Sequence, residues 1–229
     1  MPPSLDHLVF LTSNAGKARE ASALLGRAVE ARALDLPEIQ SLDFVEVVTA
    51  KALAAAEQLG VPVLVEDSGL ALPGWKGYPG PLTKYAVGAV GEAGFARLAH
   101  AWGDARAEAV STLGLAWPGA APEDVVVAVG RVAGSLAPEP RGASGFGWDV
   151  IFVPDGETRT FAQMSAEEKN ARSHRAKAFH ALELAIGRGE TRAEPASAGT
   201  LRRSGPSSAV PVSPAGSGYP PESGGGGTT

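Results

Sequence analysis

The stretch from Leu8 to Leu25 does most to narrow the folds open to this chain. An apolar run, Leu8 to Leu11, meets the polar turn T-S-N-A-G-K (Thr12, Ser13, Asn14, Ala15, Gly16, Lys17), and a helical pattern follows directly. This reads as a strand feeding a helix through a tight turn, the unit from which sheets flanked by helices are built. The first backbone N–H groups of a helix lack intrahelical partners and carry partial positive charge. An anion fits there, a phosphate above all. Lys17 adds a full charge, and Thr12 and Asn14 add short hydrogen-bonding side chains. The plainer reading of the same residues is that Ser13 or Asn14 simply caps the helix.

The pattern continues as alternating strand and helix. Strands are predicted near Leu5 to Leu11, Ala28 to Ala33, Val61 to Val65 and Val150 to Val153. Two longer runs, Ala105 to Ala116 and Asp124 to Ala137, read as a pair. Helices are predicted over Gly16 to Leu25, Phe44 to Leu59, Gly91 to Trp102 and Glu168 to Ile186. The second has an apolar stripe at Phe44, Val48, Ala52, Ala55 and Leu59, and Gly60 stops it. Early strand–helix alternation followed by adjacent strands implies an α/β fold with a mixed sheet.

Composition changes near Gly189. Residues 1–189 of the 229 form the expected folded domain, and residues 190–229 are dominated by Pro, Gly, Ser and Ala. The latter have too little apolar surface to offset ordering entropy and read as a disordered tail. The formal net charge of −5 argues against a nucleic acid polymer as partner, though not against a small phosphorylated ligand. With no Cys, disulfides, thiolate metal sites and a Cys nucleophile are excluded. No apolar stretch approaches the ~20 residues of a membrane span, and no signal peptide pattern opens the chain, so a cytoplasmic location is expected.

Three further clusters fall where such sheets place ligands. Glu66-Asp67 follows an all-apolar run and reads as a carboxylate pair at a strand end, with Ser68-Gly69 as turn residues. Adjacent carboxylates repel, and a hard cation such as Mg²⁺ offsets this while bridging to phosphates; Glu38, in an irregular stretch, is a further oxygen donor. A solvated turn accounts for the same residues without a metal. In the Gly-rich segment Gly142 to Asp149, Trp148 is suited to stack a flat ring while Asp149 accepts hydrogen bonds, or else to pack as an ordinary core aromatic. Lys169, Arg172 and Arg175 recur at a spacing of three, which puts them near one helix face.

Together these pieces resemble the inosine triphosphate pyrophosphatase (Ham1-like) family. The matching motifs occur in family order: T-S-N-A-G-K with Glu20, D-L-P-E-I-Q, V-L-V-E-D-S-G-L, G-Y-P-G-P-L-T-K, F-G-W-D and M-S-A-E-E-K-N-A-R-S-H-R, spanning about Leu8 to Ile186. The resemblance implies an elongated, two-lobed fold with a central mixed β-sheet flanked by helices and an active-site cleft between the lobes. It implies a homodimer and Mg²⁺-dependent hydrolysis of inosine and xanthosine (deoxy)nucleoside triphosphates to monophosphate and pyrophosphate, cleansing the nucleotide pool. It assigns the triphosphate to Thr12, Ser13, Asn14, Ala15, Gly16 and Lys17, with Lys51 and Lys84 near the phosphates. Glu38 and Asp67 become metal ligands. Asp67 also serves as general base with Glu66 and Lys17 assisting, and Ser68 touches substrate. Phe146, Gly147, Trp148 and Asp149 cradle base and sugar, Trp148 stacking, and Lys169, His174 and Arg175 close the base end. Arg175 only donates hydrogen bonds, so it suits a purine with a carbonyl oxygen at C6 and rejects adenine. Val150 stands where the family usually has Pro, and Ser13 where it often has Gly. Two other readings are a related house-cleaning pyrophosphatase for other modified nucleotides and a nucleotide-binding protein without catalysis.

Overall fold

A computed structural model describes residues 8–194. Its strands are β1 (Val9–Leu11), β2 (Glu30–Arg32), β3 (Val63–Ala71), β4 (Pro79–Gly80), β5 (Arg106–Ala116), β6 (Val126–Leu136), β7 (Phe152–Pro154) and β8 (Arg192–Ala193). Its helices are α1 (Ala15–Leu24), α2 (Phe44–Leu59), α3 (Thr83–Trp102), α4 (Ala166–Asn170) and α5 (His174–Arg188). The sheet runs β2-β1-β3-β5-β6-β7, with β4 beside β3 and β8 beside β6. β1 is parallel to β2 and β3, whereas β3, β5, β6 and β7 are joined antiparallel. The sheet is therefore mixed, as read from the alternation of elements.

Where the local signals agree, the elements fall where expected. α2 occupies Phe44–Leu59, opened by Asp43 Oδ1 accepting from the Val45 N–H at 2.8 Å and closed at Gly60. Elsewhere tertiary structure overrides them. Glu66, Asp67, Ser68 and Gly69 do not close a strand; they lie in the middle of β3, paired with Leu113, Thr112, Ser111 and Val110 of β5. Pairing on that side outweighs the turn propensity of D-S-G. The third helix begins at Thr83, well before Gly91, and Gly91 breaks it with φ 70°. The last helix is two, because Ser173 is extended and accepts from the Ala176 N–H at 3.1 Å, starting α5 afresh. Lys169, Arg172 and Arg175 consequently share no helix face. Arg192–Ala193, past the expected domain boundary, pairs parallel with Val127–Ala128. The rest of the expected tail, residues 195–229, and the start of the first strand lie outside the described residues.

The core lies in two regions threaded by the long strands. At one end Val63 and Val65 of β3 pack against Val48, Ala52 and Ala55 of α2, while Leu64 faces Ala178, Phe179 and Leu182 of α5 across the sheet. At the other end Leu70 and Leu72 join Phe95 and Ala99 of α3 with Phe152 and Phe161. Glu66 to Gly69 form the stretch of β3 between the two regions, so the polar residues occupy the waist of the fold.

Candidate active site

β1 ends at Leu11, opposite Val65, while β3 runs on through Glu66 and Asp67. The T-S-N-A-G-K turn therefore opens beside the two acids. Asn14 is the cap of α1: its Oδ1 accepts from the Gly16 and Lys17 N–H groups at 2.8 and 3.2 Å, and Thr12 Oγ1 accepts from the Asn14 N–H at 3.1 Å. Ser13, Asn14 and Ala15 are exposed, whereas Gly16 is buried. A Cβ on Gly16 would lie 2.5 Å from a ring carbon of Phe146, so glycine is what lets that ring close against the turn. Lys17 reaches inward, its Nζ 4.0 Å from Glu66 Oε2. Burial pulls its ammonium down from the ordinary lysine value, against the attraction of Glu66.

Successive strand residues point to opposite faces of a sheet. Glu66 lies on the side of α5 and Asp67 on the side of α2, following the alternation of Leu64 and Val65, so the two carboxylates are back to back and not a side-by-side pair. Glu66 is buried and fully engaged. It accepts from Ser111 Oγ at 2.9 Å, from Arg175 Nε at 3.0 Å to each oxygen, and from Arg175 Nη2 at 2.8 Å. Burial pushes its carboxyl upward, but the Arg175 guanidinium and Lys17 prevail and hold it at about 2. Asp67 is the converse. Burial pushes it up to about 6, with Glu66 and Glu38 adding to the rise, although Lys17 and Lys51 favour its charged form. Its Oδ2 is buried and has no hydrogen-bond partner among the described residues.

On the Asp67 side the surface opens into a hollow of about 400 Å³, lined by Leu11, Thr12, Ser13, Leu34–Leu36, Glu38, Lys51, Lys84 and Tyr85. Leu34 and Leu36 pack on the core and hold the irregular stretch over the sheet. That stretch delivers Glu38, whose Oε1 accepts from Lys51 Nζ at 2.5 Å. The hydrogen bond from Lys51 lowers the Glu38 carboxyl below its ordinary value, and Lys84 and Lys17 act in the same direction. Thr12, Ser13, Glu38, Lys51 and Lys84 thus surround one hollow, with Lys17 and Asp67 in electrostatic reach.

No group of three His, Cys, Asp or Glu side chains forms a metal-holding cluster among the described residues. A smaller donor set fits Mg²⁺, which is ordinarily held by one or two carboxylates together with substrate phosphates. The unpartnered oxygen of Asp67 and the carboxylate of Glu38 supply that set.

The other cluster lies across the sheet. Asp149 Oδ2 accepts from the Phe146 N–H at 2.8 Å and from Lys169 Nζ at 2.6 Å. Lys169 also donates to Glu20 Oε1 at 2.8 Å, and Arg175 Nη1 donates to Glu20 Oε2. Burial pushes the Asp149 carboxyl up, against the pull of Lys169. The Phe146 ring lies under these cations, 4.8 Å from Lys169 Nζ and 5.5 Å from the Arg175 guanidinium carbon. Trp148, expected to stack a base, packs edge-on to Phe152 with centroids 5.8 Å apart and tilted on His174 at 5.1 Å. His174 also stacks on Phe161, and both its ring nitrogens are buried without partners among the described residues. Burial, with Arg175 and Lys169 nearby, holds it neutral, well below the ordinary histidine value. Arg172 instead points outward to Glu157. Gly147 adopts φ 56° in the turn between Phe146 and Trp148, and Ser68 is half-buried in β3.

Sequence reasoning places Glu20 only as part of a motif and passes over Ser111 and Thr112. Glu20 joins Lys169 and Arg175, and Ser111 braces Glu66. Their partners are far away in the chain, and spacing carries no signal for such contacts.

Known proteins match both the sequence and the overall fold. The Ham1 family pattern matches residues 8–184. A dITP/XTP pyrophosphatase of Methanopyrus kandleri is 42% identical over 175 residues, covering 75% of this chain and 92% of the relative. An inosine triphosphate pyrophosphatase of Yarrowia lipolytica is 42% identical over 180 residues, covering 77% of this chain and 94% of the relative. Among solved structures, the Ham1 protein of Staphylococcus aureus aligns with a TM-score of 0.65 at 27% identity, covering 80% of this chain and all of that one. A nucleoside-triphosphatase / dITP/XTP pyrophosphatase of Mycobacterium abscessus aligns with a TM-score of 0.59 at 31% identity, covering 77% of this chain and 98% of that one.

Proposed function

The chain belongs to the Ham1 family, and from that premise we propose that it is a pyrophosphatase for the triphosphates of inosine, xanthosine and their deoxy forms. One observation carries the reading. An acid with a buried, unpartnered oxygen stands within reach of Lys17 and Lys51, beside a hollow rimmed by Thr12, Ser13, Glu38 and Lys84. Such a site suits a polyanion, and its unengaged acid is suited to take a proton.

In this reading Thr12, Ser13, Lys51 and Lys84 hold the phosphates, and Lys17 stands between them and Glu66. Asp67 accepts a proton from water as the water oxygen bonds to the α-phosphorus. The bond from that phosphorus to the α,β-bridging oxygen breaks, and pyrophosphate leaves with its electron pair. A base whose value lies near the working pH combines availability with proton affinity, which the raised Asp67 carboxyl provides. Glu38 and Asp67 would hold Mg²⁺, which when bound supplies charge neutralisation on the phosphates. Glu66 acts structurally, since its oxygens are engaged by Arg175 and Ser111.

The base lies toward the Phe146–Asp149 turn. Phe146, presented next to the phosphate turn and beneath two cations, is better placed to stack it than Trp148, which His174 and Phe152 engage. Arg175 is buried and pinned by Glu66 and Glu20, which engage its Nε, Nη2 and Nη1; the two N–H groups left over are the donors suited to a carbonyl oxygen at C6. The role in cleansing the nucleotide pool, the homodimer and the cytoplasmic location rest on the family resemblance. No described helix is long and apolar enough to cross a membrane. The test is pyrophosphate release from inosine, xanthosine, guanosine and adenosine triphosphates with Mg²⁺. The expected order has the first two far ahead, and absence of release from all four refutes the reading.

A further inference from the structure

Thr112 is fully buried, and its Oγ1 has no hydrogen-bond partner among the described residues. In the register of β3 and β5 its Cα partner is Asp67, the residue whose Oδ2 is likewise buried and unpartnered. Directly opposed strand residues share a sheet face, with Cβ atoms roughly 4.5–5.5 Å apart. The other residues directly flanking or paired with Thr112 on that face are apolar. Val110 and Gly114 flank it along β5, Val129 is its partner on β6, and the valines belong to the apolar core against α2. Of the residues directly flanking or paired with Thr112 on that face, Asp67 is the one with a polar side chain.

An unmet buried hydroxyl is destabilising, and replacing it with an apolar group of the same shape is nearly neutral or stabilising. Valine has that shape and suits a strand at least as well. A purely architectural position would therefore favour valine. Two orphaned polar groups facing each other at the waist of the fold are, in contrast, the partners that an ordered water needs.

We propose that Thr112 is a positioning residue for Asp67, its hydroxyl holding the carboxylate through one shared water molecule. The inference rests on the pyrophosphatase reading. Thr112 touches no reacting atom; it restricts the rotation of the carboxylate that accepts the proton, and a loosely held base loses turnover while binding persists.

The experiment compares the full-length chain with its T112V, T112S and T112A variants in Mg²⁺ and inosine triphosphate, recording kcat, KM and Tm for each. The expected result is that T112V lowers kcat by about ten- to a hundredfold, the scale of a misplaced catalytic group, at unchanged KM and at a Tm equal to or above the parent's. T112S, which keeps the hydroxyl, returns kcat to near the parent value. Should T112V fold poorly, the Ser and Ala variants decide: kcat high in Ser and low in Ala supports the proposal, and equal kcat in both overturns it. A T112V variant with parental kcat also overturns it. The parent chain is the control for the underlying reading, because failure of the parent to release pyrophosphate rejects the assigned reaction, whereas an active parent matched by T112V rejects only the role of Thr112.

Discussion

Replacing Asp67 with asparagine should make the protein more stable and inactive at once. Burial raises the Asp67 carboxyl from the ordinary 3.8 to about 6. A carboxyl raised on folding costs nothing while protonated in both states. Its penalty grows as pH rises from the unfolded value toward the folded one, because there the folded state binds more protons. The gap between 3.8 and about 6 converts, at 1.36 kcal/mol per pH unit, to a ceiling of about 3 kcal/mol of lost stability above pH ~6. The neutral amide of the D67N variant carries no such penalty. For a fold of this size each kcal/mol moves Tm by about 2–4 °C, so D67N should melt about 6–12 °C above the parent at pH 8. At pH ~4 the curves should nearly coincide, with the difference opening between pH ~4 and ~6 and then holding level. The assay is thermal unfolding in a chelator across that range, alongside pyrophosphate release. A Tm difference that is constant with pH, or a D67N variant that retains turnover, would refute the idea that a desolvated reactive carboxylate resides here.

Three further outcomes follow from the same geometry. Glu66 is held at about 2 against an ordinary 4.5, a difference worth about 3 kcal/mol of stability that is present above pH ~4.5 and lost as pH falls toward ~2; E66Q should lose about that much at pH 7 in denaturant titration, since buried Arg175 then keeps only Glu20 as a charged partner. Removing the Lys51 ammonium as K51M frees Glu38, so Mg²⁺ binding without nucleotide should tighten by about two- to fivefold in calorimetry, the modest scale of a half-exposed ion pair, while KM for nucleotide rises. G16A places a methyl against the Phe146 ring; overpacking costs about 1–3 kcal/mol, and the ring's displacement should appear as a higher KM and a changed Phe146 environment by NMR.

How much of this the sequence discloses differs from one element to the next. α2 is legible over Phe44–Leu59, because the apolar stripe and terminal Gly60 agree, and the structure adds the Asp43 cap that the sequence reading leaves out. The β3 acids are legible as acids but not as a mid-strand pair, because D-S-G carries turn chemistry and only the partner strand β5 overrides it. The break before α5 has a local cause, the Ser173 cap, that an unbroken charge spacing conceals. The T-S-N-A-G-K turn shows its strand–helix setting plainly, yet in the structure Asn14 takes the capping role that competes with a phosphate role. Trp148 against Phe146 is the opposite case. Sequence ranks the larger aromatic first, whereas the proposed reading takes the smaller, from its placement beside Gly16, Lys169 and Arg175. The alliances of Glu20 and Thr112 arise wholly from packing between distant segments.

The back-to-back setting of Glu66 and Asp67 has an evolutionary corollary. One strand separates two workshops: the acid that anchors Arg175 looks one way, and the acid proposed to serve the cleavage chemistry looks the other. On the proposed reading, substitutions around α5 would act on the base-binding side and reach the hydrolytic side only through Glu66 and Lys17, so a lineage with this architecture would change its diet with little change to its cutting tool.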